Sequence, residues 1–203
     1  MGRYLRYRPT REPSGPLWWG LVLFAAGLLL LAVLLTGCGM PAVSAGPHVA
    51  ATDGLDYQGT RYGVSVVTER PGFRASVAMS DAQKVGSEKQ GGAELRLLAG
   101  KQYERLGLYA GLRGFAQRSD WGTVQGSNPS LAASWQAFPN LKAWVIYDGP
   151  DSTHHDTQAV VLMTEYHNKA WPFVLEHRVE KVWFDQRETG WVAGMGLRWR
   201  FGE

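Results

Sequence analysis

The sequence predicts an all-β fold, an antiparallel up-and-down meander closed into a β-barrel of about eight to ten strands and preceded by an N-terminal apolar helix. Three observations support this prediction. Apolar and polar side chains alternate along most of the chain after residue 57, short turns alternate with long polar connections, and the closing stretch WVAGMGLRWRF has aromatic residues at both ends of its apolar face. We divide the chain into an apolar leader (residues 1–37), a flexible tether (residues 38–56) and a barrel domain (residues 57–203).

The leader has the composition of an export signal. The first eleven residues contain four arginines and no acidic residue, and residues 17–36 are apolar and uncharged. A basic segment followed by an apolar one is typical of a secretory signal peptide. Twenty residues at ~1.5 Å rise per residue would also cross a bilayer as a helix. The length of the segment therefore leaves a cleaved signal and an uncleaved membrane helix both open.

The apolar run ends in a short motif that favours cleavage. Leu35-Thr36-Gly37-Cys38, which contains the only cysteine of the chain, resembles the lipobox of bacterial lipoproteins. The resemblance implies that Cys38 is acylated and becomes the first residue of the mature protein, with membrane lipid as its partner. Glycine rather than aspartate follows Cys38, which by the same resemblance implies the outer membrane. An uncleaved helix with an incidental cysteine remains the alternative.

The charge of the mature chain argues against a nucleic-acid partner. The full sequence has a net charge of +3, with 21 basic and 18 acidic residues. Four of the basic residues and one of the acidic residues precede Cys38, which leaves 17 of each sign in the mature chain. A neutral chain lacks the positive field that nucleic-acid binding requires.

The segment after Cys38 is rich in Gly, Ala and Pro and is predicted to be a tether, with a short strand at residues 48–52 as the alternative. Beyond this segment, apolar and polar side chains alternate with a period of two residues, which predicts strands. The predicted strands cover residues 62–69, 73–80, 93–99, 106–117, 141–148, 158–167, 171–184 and 191–201. A separate strand that begins at residue 135 and ends before Pro139 brings the count from residue 57 to nine. The count is eight if residues 135–148 form one bent strand, and ten if residues 48–52 form a further strand. Long polar loops are expected at residues 81–92, 119–134 and 148–157.

The last strand favours a membrane barrel over a soluble β-domain. Large aromatic residues lie at both ends of its apolar face, Trp191 at one end and Trp199 with Phe201 at the other, while Arg198 and Arg200 lie on the opposite face. Ten residue steps of ~3.3 Å at a tilt of about 40° give a height of roughly 25 Å, the apolar band of an outer-membrane barrel. A lipoprotein with a soluble lipocalin-like or sandwich domain that binds a ligand or partner is the alternative.

The same strand resembles the C-terminal signal of outer-membrane barrel proteins, in which apolar or aromatic residues follow a glycine by three and five positions. Gly196, Trp199 and Phe201 match, although two residues follow Phe201. The preceding strand departs from the pattern because His177 and Lys181 share its apolar face. Lys181 is expected to extend toward the interface, and His177 requires either a bulge or a soluble domain.

No catalytic, metal or cofactor site is predicted. His154, His155 and Asp156 lie in a polar loop and are interpreted as solvated rather than as metal ligands. Glu165, His167 and His177 could meet across strands in an enzyme acting on lipid or polysaccharide, which is kept as a third hypothesis. The predicted role is accessory, structural or surface interaction rather than general porin. An envelope protein or polysaccharide is the possible partner, with Trp121 and Tyr166 as candidate contacts.

Overall fold

A computed structural model describes residues 42–54, 57–84, 89–119, 122–150, 158–168, 170–184 and 188–201. Ten antiparallel strands, each paired with its neighbours in sequence, form a barrel that closes through pairing of the first strand with the last. The strands are β1 (Ala42–Gly54), β2 (Tyr57–Arg70), β3 (Phe73–Lys84), β4 (Lys89–Tyr103), β5 (Leu106–Ser119), β6 (Gly122–Phe138), β7 (Leu141–Asp148), β8 (Gln158–His167), β9 (Phe173–Phe184) and β10 (Glu188–Phe201). The predicted all-β meander barrel is confirmed, and it has ten strands.

The apolar leader and the lipobox, including Cys38, lie outside the described residues. In the part of the chain that is described, no helix is long and apolar enough to cross a membrane.

The two ends of the barrel differ in their connections. At one end, here called the turn end, tight turns join β2 to β3, β4 to β5 and β6 to β7. Gly72 has a φ of 79° and Glu104 a φ of 45°, left-handed conformations that reverse the chain within two residues. The start of β1 and the end of β10 also lie at the turn end, because Val43 pairs with Phe201. β8 is also connected to β9 at the turn end, and the remaining five of the nine connections are at the opposite end, here called the hairpin end.

The predicted tether is largely a strand of the barrel. Residues 42–54 form β1, which pairs along its whole length with β2 and, apart from a gap at Gly46 and Pro47, with β10. The barrel therefore includes residues 42–54 as well as the strands after residue 57, and the alternative of an extra first strand describes the structure. The small side chains of this segment suggest a linker. At Gly46, however, the absence of a side chain is needed for strand pairing, because a Cβ there would overlap the carbonyl oxygen of Leu197. Pro47 has no N–H to donate to β10.

Two of the predicted loops are mostly strand. β3 continues to Lys84 and β4 begins at Lys89, so most of residues 81–92 extend the β3–β4 hairpin. Residues 122–134 belong to β6, which ends at Phe138 and is separate from β7. The backbone hydrogen bonds of a ladder do not require apolar side chains, and polar residues therefore continue these strands beyond the apolar band.

Candidate functional site: the two faces of the barrel wall

The outer face of the barrel is apolar. On β10 the predicted orientation is confirmed, since Met195 is 63% exposed while its neighbour Arg198 on the inner face is 1% exposed. Outward side chains of the other strands continue this surface. They include Tyr62, Val64, Leu108, Leu112, Leu131, Trp135, Val145, Leu162 and Leu175, all of which are exposed. Monomeric soluble proteins rarely expose this many large apolar side chains on neighbouring strands.

Aromatic residues concentrate on the outer face at the turn end. Trp171 lies 6.3 Å from Tyr166 and 5.2 Å from Phe173 between ring centroids, and Phe173 lies 6.4 Å from Trp199. These four rings form a continuous aromatic cluster around the start of β9. Trp and Tyr are enriched where a protein surface crosses from hydrocarbon to the polar interface of a bilayer.

Lys181 and His177 both face outward. The Lys181 Nζ lies 5.2 Å from the ring centroids of Trp183 and of Trp191, so its charge is placed between two aromatic faces near the hairpin end. This geometry agrees with the expectation that Lys181 extends toward an interface. His177 is exposed, and the pairing of β9 with β8 and with β10 continues past it without a register shift. The bulge suggested for this position is therefore not present in the structure.

The inner face carries a first group of six charged side chains, which we call the lower layer because it lies toward the turn end. Its members are Glu69, Arg74, Lys142, Glu165, Glu176 and Arg198. At its centre the fully buried Glu165 carboxylate accepts hydrogen bonds from Arg74 at 2.8 and 3.0 Å, from Trp144 Nε1 at 2.9 Å and from Arg198. Four donors thus compensate the cost of burying this charge.

A second group, the middle layer, lies further toward the hairpin end and also has six charged members. They are Glu94, Arg96, Arg113, Asp148, Arg178 and Glu180. The buried Asp148 carboxylate accepts hydrogen bonds from Arg96 at 2.5 Å and from Ser130 at 2.6 Å. Each layer has three acidic and three basic groups and is electrically neutral.

Several of these ion pairs cross the lumen. In the ring of ten strands, β2 lies opposite β7, β3 opposite β8 and β4 opposite β9. The pairs Glu69 with Lys142, Arg74 with Glu165, and Glu94 with Arg178 join these three pairs of opposite strands. The interior is therefore spanned by side chains at both levels, as expected of a barrel of this size.

One sector of the interior is apolar, which the sequence analysis did not identify. Its buried members are Leu98, Tyr109, Ala132, Trp144, Ile146, Val161 and Met163. Trp144 connects this sector to the lower layer, because Lys142 Nζ and the Arg74 guanidinium lie 4.5 and 4.8 Å from its ring centroid. The sequence pattern that could have predicted this sector is the presence of apolar residues on both faces of β7 and β8, which is typical of strands buried on both sides.

The structure separates the residues of the enzyme hypothesis. Glu165 and His167 face inward, with Glu165 enclosed by its four donors, whereas His177 faces outward from the neighbouring strand. The three side chains therefore do not form one site. His154, His155, Asp156 and Trp121 lie outside the described residues. Among the residues that are described, no three His, Cys, Asp or Glu side chains are placed to hold a metal ion.

The fold and the polarity of the barrel wall together define the class of this protein. It is a closed antiparallel β-barrel with an apolar outer face and an ion-paired interior.

No protein-family model matches the sequence, and no curated protein matches it. Several solved structures are similar to this chain, and three of them are described here. Ail, the attachment invasion locus protein of Yersinia pestis, is 11% identical with a TM-score of 0.39, and it matches over 79% of this chain and 99% of its own. The KdgM porin is 11% identical with a TM-score of 0.44 over the same shares of the two chains. The translocator domain of the autotransporter NalP from Neisseria meningitidis is 12% identical with a TM-score of 0.43, over 91% of this chain and 98% of its own.

Proposed function

We propose that this chain is a bacterial outer-membrane lipoprotein whose barrel is inserted in the membrane and serves as an accessory, structural or surface-interaction element. The observation that supports this most is the inverted polarity of the wall. Large apolar side chains cover the outside, and the inside holds two neutral layers of buried ion pairs. In water this arrangement exposes the apolar surface and buries the charges, whereas in lipid each face meets its favoured surroundings.

An acyl anchor at Cys38 agrees with a barrel whose turn end lies on the periplasmic side of the membrane. Cys38 precedes Ala42, the first residue of β1, by four positions, a reach of at most about 14 Å. An acyl chain on Cys38 therefore enters the leaflet next to the turn end, where the aromatic cluster of β8 to β10 lies. With the anchor on the periplasmic side, the hairpin end points to the cell exterior.

An interaction role rather than general porin activity is favoured by the interior and by the hairpin end. Ion pairs between opposite strands occupy the lumen at two levels. The β5–β6 hairpin extends beyond the last β6–β7 pair, Ser130 with Asp148, by the eight residue positions 122–129 of β6. Such a projecting hairpin offers a surface to an envelope protein or polysaccharide outside the membrane.

The proposal is tested by separating the anchor from the barrel. After Cys38→Ala, we expect the protein to remain in the membrane fraction after carbonate extraction and to migrate differently on gels with and without heating, because the barrel holds it there. Release of this variant into the soluble fraction would instead support the alternative of a lipoprotein with a soluble β-domain. Mass spectrometry of the wild-type N-terminus tests acylation separately, and an intact Met1 would contradict it.

A further inference from the structure

Part of the barrel interior is accessible to solvent. The inward residues in the upper halves of β10, β1, β2 and β3 are small or polar and only half-buried, and we call this surface the polar crescent. It includes Ala50, Ser65, Ala78 and Ser80, together with His48, whose ring lies over Gly63. On the opposite wall at this height, inward residues such as Ser130, Asp148 and Val161 are fully buried. Among the described residues, the accessible part of the inner surface therefore lies along one side of the barrel.

The polar crescent stops at the lower layer. Toward the turn end the next inward side chains on the same strands are buried, among them Ser44, Arg74 and Arg198, and Val67 is 4% exposed. Arg198 lies two positions from Gly196 on the inner face of β10, at the point where the accessible surface ends. The Glu94–Arg178 pair of the middle layer joins β4 to β9 and leaves the side formed by β10, β1, β2 and β3 unspanned. On that side the lower layer closes the accessible part of the interior.

Arg198 has two carboxylate partners within the lower layer, on the neighbouring strands β8 and β9. It donates to the buried Glu165, and its Nη2 lies 3.2 Å from Glu176, which is half-buried beside the crescent. Its Nη1 and Nε have no hydrogen-bond partner in the described part of the chain. Glu165 retains Arg74 and Trp144 when Arg198 moves toward Glu176. Displacement of Arg198 therefore leaves every charge paired, and the closure can open without a buried, uncompensated ion.

We propose that the polar crescent and the lower layer form a closed permeation path for small hydrated ions, in which Arg198 is the group that blocks passage. The proposal rests on the proposed function, since it requires the barrel to span a membrane. It goes beyond that function by assigning a latent pore to an interior that the resting structure keeps shut.

The direct test is the conductance of full-length wild-type protein and of Arg198→Ser in planar lipid bilayers in potassium chloride. Serine removes the blocking guanidinium while Glu165 keeps Arg74 and Trp144 as donors. Because side-chain packing sets the free width of a small barrel, we expect the single-channel conductance of the variant to exceed that of the wild type by about fivefold or more. The matched control is Arg200→Ser, which removes the same charge two positions further along β10. Arg200 donates to the carbonyl oxygens of Asn168 and Trp171 at the rim, so this control should conduct as the wild type does.

A folded Arg198→Ser protein with wild-type conductance would overturn the proposal, as would equal conductance in both variants. If Arg198→Ser does not fold, thiol accessibility decides. Because Cys38 is the only cysteine, a Cys38→Ser background permits single probes at Ser80 in the crescent and at Val67 in the closure. A water-soluble cationic thiosulfonate should modify Ser80→Cys at least about tenfold faster than Val67→Cys, since only the former site is open to water; similar rates would refute the closure. Carbonate release of Cys38→Ala would refute the membrane barrel itself and with it this inference.

Discussion

Replacement of Glu165 by alanine is expected to destabilise the barrel by about 3–5 kcal/mol, because it leaves three cations in the lower layer with only two carboxylates, Glu69 and Glu176. The Glu165 carboxylate is 0% exposed and receives hydrogen bonds from β3, β7 and β10 while belonging to β8. The loss should appear as a lower urea midpoint for unfolding in lipid vesicles and as a lower temperature for the heat-dependent shift in gel migration.

Glu176→Ala is the matched control for Glu165→Ala. Glu176 is also an inward carboxylate next to Arg198, but its side chain is partly exposed and its ion pair with Arg198 is 3.2 Å long. A partly hydrated pair contributes little, and we expect a change of about 1 kcal/mol or less. Equal losses of unfolding free energy for the two substitutions would show that the four hydrogen bonds to Glu165 do not make it more stabilising than Glu176.

Replacement of Leu162 by arginine on the outer face is expected to destabilise the protein by about 2–4 kcal/mol in a bilayer, since a charge near the middle of the lipid-facing wall is poorly solvated. Leu162 is 53% exposed near the middle of β8 and pairs with Val145 and Val179. The free energy of unfolding from lipid vesicles measures the effect. On a soluble β-domain the same exposed position would accept arginine with a change of about 0.5 kcal/mol or less.

Leu106→Arg is the control for Leu162→Arg. Leu106 is also exposed and apolar, but it lies in the first position of β5 at the turn end, where an arginine can reach the polar interface. A cost of about 0–1 kcal/mol is expected there. An equal and small effect at both positions would argue against insertion in a membrane.

Alternation was sufficient to predict the closing strand because side chains in a strand point alternately to the two faces. It placed Trp191, Met195 and Trp199 on one face of β10 and Arg198 on the other, and the structure confirms this. The same rule predicts β1 only as an alternative short strand at residues 48–52, since its Ala, Gly and Pro residues carry little hydrophobic contrast. It also took polar residues of β3, β4 and β6 for loops, because a strand that extends beyond the apolar band needs no apolar face.

The inner face was predicted to be polar and charge-paired, but not which charges meet. Sequence and strand order suggest His167 and His177 as neighbours of Glu165, whereas its partners Arg74 and Arg198 come from β3 and β10. Pairing between opposite strands depends on the number of strands and on how far the register is staggered around the ring. Neither quantity can be obtained from the period of a single strand.

The sequence by itself determined the fold class, the face that each outer residue of the last strand presents, and the balance of charge after Cys38. These properties follow from local side-chain period and composition. Only the tertiary structure decided that β1 completes the ring, that twelve charged side chains form two neutral layers, and that Trp144 and Lys142 belong to the interior. Closure brings together residues distant in the chain, and the energetics of the interior depend on those contacts.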